Sequence, residues 1–155
     1  MYKVFECKSI FECGVEKLFG FHENPVGFDT LVGLDPDVEV MQKPSSILEG
    51  SYAVLNVELF FGIKVKWIAR HTVYKKNQLF VDEQEQGPFR FFRHEHHFRE
   101  FKGNTILLDR VIYRFGLPFS SFIITPKLKK QFLARHEATA RFLGVKYRIL
   151  SCGSV

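Results

Sequence analysis

Between residues 37 and 114 the chain reads as six strand-like segments in a row, and a single long helix follows them. This succession constrains the fold more than any other feature of the sequence. The segments are 37–43, 50–59, 63–74, 78–86, 90–100 and 104–114. Pro44, Gly50, Gly62, Lys76-Asn77, Gly87-Pro88 and Gly103-Asn104 break the chain between them. Connections this short join neighbouring antiparallel strands, because a parallel crossover needs a dozen or more residues. The helix is "TPKLKKQFLARHEATARFLG": Thr125 is placed to cap it, Pro126 to occupy its first turn and Gly144 to end it. Leu128, Phe132, Arg135/His136, Thr139 and Phe142/Leu143 recur at helical spacing. A further strand, 2–11, precedes two short helices. One covers 15–22; the other starts at Asn24-Pro25 and stops at Gly33. The sum is an α+β protein with seven antiparallel strands and a lone C-terminal helix that must cover one face of the sheet. A twisted sheet curled around one helix leaves a space between the two.

Composition narrows the class. A chain of 155 residues is expected to form one domain, 1–155. The 18 phenylalanines suit a core or cavity wall built from rings. A net charge of +5, dispersed along the chain, is too mild to argue for nucleic acid. Three scattered cysteines, Cys7, Cys13 and Cys152, argue against a disulfide framework or a zinc knuckle. No apolar run approaches the ~20 residues of a membrane span, and no apolar segment of signal-peptide length opens the chain. The expectation is a reduced, cytoplasmic protein of unspecified oligomeric state. The apolar stripe of the C-terminal helix is assigned to the core rather than to a membrane surface.

Strand alternation divides each segment into two faces. In 63–73 the inward face is Ile63, Val65, Trp67, Ala69, His71 and Val73. In "FFRHEHHF" (91–98), Phe92, His94, His96 and Phe98 share one face; the other carries Arg93, Glu95 and His97 and belongs in water. In 105–114 burying Asp109 costs less than burying Arg110 and Arg114, so Asp109, Val111 and Tyr113 point inward. The same reasoning turns Asp82 and Gln84 inward. A turn at Lys102-Gly103 pairs Phe101 with Asn104 and sets His96 opposite Asp109. A turn at Gly87-Pro88-Phe89 sets His94 opposite Asp82.

The chain resembles the START-like (SRPBCC, helix-grip) ligand-binding superfamily, and among its members small bacterial proteins similar to polyketide cyclases/dehydrases. The resemblance rests on "EKLFGFHENP" (16–25), "FGIKVKW" (61–67), "FVDEQEQGPFRFFRHEHHF" (80–98), "TILLDRVIYRF" (105–115) and "ITPKLKKQFLARHEA" (124–138). The stretch "RFGLPFSSF" (114–122) departs from the pattern, and the tail 145–155 lies outside it. The resemblance implies an internal cavity between sheet and helix that takes an apolar or aromatic ligand of lipid, polyketide or aromatic type. Its expected walls are Trp67, Phe92, Phe98, Val111 and Phe132, with His71, Asp82, Gln84, His94, His96, Asp109 and Tyr113 as polar lining. The alternative is an acid–base enzyme of the cyclase/dehydratase type, with His94, His96, Asp109 and Tyr113 as catalytic candidates. An H-x-H pair supplies two metal ligands and Asp82 or Asp109 a third, with His71 the remaining inner histidine. The expectation is nevertheless no cofactor and no required metal. His96 is expected to hydrogen-bond Asp109.

Overall fold

The computed structural model describes residues 1–118 and 120–155, and Phe60 by its backbone only. The strands are β1 (Lys3–Phe11), β2 (Val38–Gln42), β3 (Tyr52–Glu58), β4 (Lys64–Lys75), β5 (Leu79–Gln86), β6 (Phe91–Phe101), β7 (Asn104–Arg114) and β8 (Tyr147–Ser154). Helices α1 (Val15–Glu23) and α2 (Pro25–Val32) follow β1, and α3 (Ser121–Leu143) lies between β7 and β8. The strands form one antiparallel sheet in the order β2-β3-β4-β5-β6-β7-β1-β8.

The hairpins sit in the register their turns dictate. Phe101 pairs Asn104 and His96 pairs Asp109; His94 pairs Asp82. Asn24 caps α2, its side chain accepting from the Val26 N–H at 2.9 Å. Gly144 ends α3 in the left-handed region, at φ 65°, which a glycine adopts without Cβ strain.

Two expectations are corrected. The sheet has eight strands, not seven, because the tail forms β8 against β1. β8 is exposed along most of its length and carries no apolar alternation to announce it. Its pairing is set by the open backbone edge of β1. The long helix begins at Ser121, four residues before Thr125, with Pro126 inside it. Ile124 is buried in the core, and this contact extends the helix upstream. Pro126 lies past the first turn, where it donates no N–H to the helix ladder.

The core falls into two apolar clusters. One gathers Phe11, Val15, Leu18, Phe19, Phe80, Phe98, Leu107 and Ala140. The other gathers Phe5, Cys7, Val111, Tyr113, Ile124, Leu128 and Phe132. Every long element that contributes to both clusters carries a buried polar residue between its two contributions: Ser9 on β1, Asp109 on β7, His96 and His94 on β6, and His136 on α3. A polar layer therefore crosses the interior between two apolar ones.

Candidate functional site

The layer is a chain of hydrogen bonds from β1 to the cavity. The ionised Asp109 carboxylate can only accept, which fixes the direction of each bond. The His136 Nε2–H donates to Asp109 Oδ2 at 2.7 Å, and His136 Nδ1 accepts from the Ser9 hydroxyl at 2.7 Å. The His94 Nε2–H donates to Asp109 Oδ1 at 2.8 Å. The His96 Nε2–H donates to Asp82 Oδ2 at 3.1 Å. His96 Nδ1 lies 2.9 Å from Asp109 Oδ1 but out of line for a hydrogen bond, and it is buried without a partner. Phe80 stacks on the His96 ring at 3.9 Å and 12°. His94 and His96 stand with ring centroids 3.7 Å apart.

The bonds are thus diagonal to the backbone register. His94 and Asp82 are opposite one another, as are His96 and Asp109, yet the hydrogen bonds join His94 to Asp109 and His96 to Asp82. The expected His96–Asp109 hydrogen bond is corrected to a close contact. Side chains lean along a strand, so diagonal partners come within reach.

Burial and charge set the protonation of the layer. Burial would raise both carboxylates, but the surrounding imidazoles hold Asp82 and Asp109 below the usual carboxylate range. Burial lowers His94, and neighbouring His96 lowers it further, which favours a neutral ring with Nδ1 unprotonated. Burial also works against a charged His96, but Asp109 and Asp82 outweigh it and its pKa is raised. His71 is lowered by burial, and its Nδ1 is buried without a partner.

Beside the layer lies a cavity of about 390 Å³. Its walls come from the end of α1, α2, the 43–47 loop, the inner faces of β3 to β6, and one side of α3. Of the residues expected there, Trp67, His71, Asp82, Phe92, His94, His96 and Phe132 line it. Five do not. Phe98 belongs to the first apolar cluster; Val111 and Tyr113 belong to the second. Tyr113 directs its hydroxyl to Thr125 Oγ1 at 3.1 Å. Asp109 stands behind the histidines, which it holds. Gln84 folds back on the turn, donating to the Phe89 carbonyl at 2.7 Å and accepting from its N–H at 3.1 Å. One cause accounts for the β7 residues: α3 packs toward β1 and β8, so the inner face of β7 is core, and the space remains over β3 to β6.

Sequence reasoning did not single out four residues. His136 and Ser9 complete the layer. His22 lines the cavity, with its pKa lowered to about 4, chiefly by burial. Arg135 also lines it, with its guanidinium over the Phe132 ring at 5.5 Å and Nε buried without a hydrogen-bond partner. Arg135 and His136 were visible as neighbours in the helical stripe, but the stripe does not reveal which of them meets the carboxylate.

No family model matches the sequence, and no curated protein sequence matches it. Solved structures do match. Ara h 8.0201 superposes with a TM-score of 0.67 at 13% identity, covering 92% of this chain and 98% of its own. Norcoclaurine synthase from Thalictrum flavum, in complex with dopamine and hydroxybenzaldehyde, gives 0.67 at 12% identity, with 92% and 87% covered. The Zhui aromatase/cyclase from Streptomyces sp. R1128 gives 0.71 at 10% identity, with 93% and 94% covered. The chain shares their fold, a curved antiparallel sheet gripping a long C-terminal helix. Among the described residues, no helix is long and apolar enough to cross a membrane.

Proposed function

We propose that residues 1–155 act as one ligand-binding domain for an apolar or aromatic small molecule bearing one or two oxygens. The observation that carries this reading is the cavity itself: about 390 Å³, walled by Trp67, Phe92, Phe132 and aliphatic side chains, with the His/Asp layer on one side. That volume and mixture suit a small-molecule site of roughly 300–1,000 Å³ with a few convergent polar groups. The ligand's ring or alkyl body lies against the apolar wall. Its oxygen meets His94, His96 or Asp82 on the sheet side, or the free donors of Arg135 on the helix side. A norcoclaurine synthase complex and an aromatase/cyclase share the fold, which supports an aromatic ligand without identifying it. Three free cysteines motivate a cytoplasmic setting.

The chain's single tryptophan, Trp67, stands in the cavity wall and reports directly on occupancy. Titration with anilinonaphthalene sulfonate should shift Trp67 emission saturably, and native mass spectrometry of protein purified from its source should retain a small molecule. An unchanged Trp67 spectrum together with a bare native mass would defeat the reading.

One observation favours a second, catalytic reading. The Ser9–His136–Asp109–His94 chain ends at His94 Nδ1 beside the cavity, where Asp109 fixes the tautomer that leaves this nitrogen free to take a proton. His94 would be the base of a cyclisation or dehydration, His96 the charged partner and Asp109 the positioning group; Tyr113 has no such part. In this reading His94→Gln retains the Trp67 response and loses turnover.

A further inference from the structure

We propose that Asp82, His94 and His96 form a site for one divalent transition-metal ion at the cavity wall. The inference goes beyond ligand binding and does not depend on what the cavity holds.

The three side chains offer one donor atom each, all within 4.8 Å of one another. Asp82 Oδ2 is 3.1 Å from His96 Nε2 and 3.7 Å from His94 Nδ1. A tetrahedral ion bonded at about 2.0–2.1 Å holds its ligand atoms roughly 3.3 Å apart, and the two observed separations bracket that spacing. The β5–β6 register sets His94 against Asp82, and alternation along β6 keeps His94 and His96 on one face.

The protons also fit. His94 already donates its Nε2–H to Asp109 and leaves Nδ1 toward Asp82. His96 carries its proton on Nε2, toward Asp82. On binding, the ion takes the place of that proton, which passes to His96 Nδ1. That nitrogen is now buried without a partner, 2.9 Å from Asp109 Oδ1. If His96 starts doubly protonated, one proton is released to solvent instead. Either way both ligating imidazoles end with their second N–H toward Asp109, as a hydrogen bond for His94 and a 2.9 Å contact for His96, and such a carboxylate orients metal-bound histidines in general. The two carboxylates, Asp82 and Asp109, supply the negative charge that a divalent ion needs with both histidines neutral. His71, opposite Asp82 in the β4–β5 register, keeps a buried Nδ1 without a partner. Three protein ligands leave a coordination position for water or a ligand oxygen, as in catalytic rather than structural zinc sites.

The test uses the full chain, stripped with a chelator and titrated with Zn²⁺ by calorimetry, and with Co²⁺ by absorption and proton NMR. Uptake of about one ion per chain is expected, with a higher Tm in its presence. Asp82→Asn should abolish uptake. Asp109→Asn should weaken it by about 10–100-fold, and His97→Gln should leave it unchanged. Should Asp82→Asn fail to fold, the wild-type Co²⁺ spectrum decides: ring protons of His94 and His96 shift strongly, those of His97 do not. Uptake well below one ion per chain, uptake preserved in folded Asp82→Asn, or Co²⁺ shifts centred away from His94 and His96 would each overturn the site.

Discussion

Asp109 has three imidazoles within 3 Å, and only one charge to share among them. Its removal strands two buried N–H donors, those of His94 and His136. Breaking a buried, hydrogen-bonded charge typically costs about 3–5 kcal/mol, so Asp109→Asn should destabilise by that order in urea unfolding. Ser9→Ala removes a single hydroxyl from His136 and should cost about 1 kcal/mol. Because both changes act through His136, the double variant should lose less than the sum. Strict additivity would mean that Ser9 and Asp109 do not communicate through the ring. His22 adds a pH dependence whose sign is fixed. Its pKa falls from 6.5 to about 4 in the folded chain, burial being the main cause and His96 a further one, while the Leu18 carbonyl pulls the other way. The unfolded chain then binds more protons between those values, so the stabilisation is complete above pH 6.5 and is lost as pH falls toward 4. Its size is of the order of 3 kcal/mol. In chelator-treated protein, His22→Gln should flatten part of the stability loss between pH 6.5 and 4. An unchanged slope in that window would show that His22 is already titrating freely.

The last strand is the element with the clearest separate contribution. β8 covers the β1 edge, and Tyr147 stacks on Phe11 with centroids 5.6 Å apart. Without it, β1 becomes an open edge next to the first apolar cluster. Deleting 145–155 should lower Tm by more than about 4 °C, given roughly 2–4 °C per kcal/mol at this chain length, and should produce oligomers on size exclusion. An unchanged melt and a monomeric elution would show that β8 is an ornament of the sheet. This strand was not legible beforehand, for a physical reason: "YRILSCGS" is exposed on most positions, so it has no buried face to write a pattern into the sequence. β4 to β7 were legible because each buries one face and turns at Gly or Asn; Lys102-Gly103 alone fixed Phe101 on Asn104 and His96 on Asp109. Alternation likewise turned Asp82, His94, His96 and Asp109 inward. It could not say where along the sheet the helix rests. Phe98, Val111 and Tyr113 share the inner face with Trp67 and Phe92, yet they meet core. The difference is the lateral seat of α3, a tertiary choice with no local signature. His136 stayed hidden for the same reason, one residue from an arginine in the same stripe.

At the scale of the molecule, the issue is whether the space over β3 to β6 is a real void or one the phenylalanines close. Some rings, such as Phe92 and Phe132, stand in its wall, and many are committed to the core. Phe5, Phe11, Phe19, Phe80 and Phe98 occupy the two clusters on either side of the polar layer, and the seat of α3 toward β1 and β8 leaves the β3–β4 wall facing no helix of its own. Ala53 and Ala69 are directly paired across β3 and β4, and both line the cavity. Two small side chains side by side leave a floor that a larger residue can fill. Ala69→Phe therefore separates the alternatives. In an open cavity the new ring gains apolar burial without displacing its neighbours, and such fillings commonly contribute about 0.5–2 kcal/mol. Stability should hold or rise, while the Trp67 response to anilinonaphthalene sulfonate weakens by tenfold or more, because Trp67 shares β4 with the new ring two residues away. In a closed interior the same ring is overpacked and costs about 1–3 kcal/mol. A destabilised Ala69→Phe with unaltered probe binding would place the probe elsewhere and remove the cavity from the function. A stable variant that no longer takes the probe ties binding to this space and to the His/Asp layer at its side.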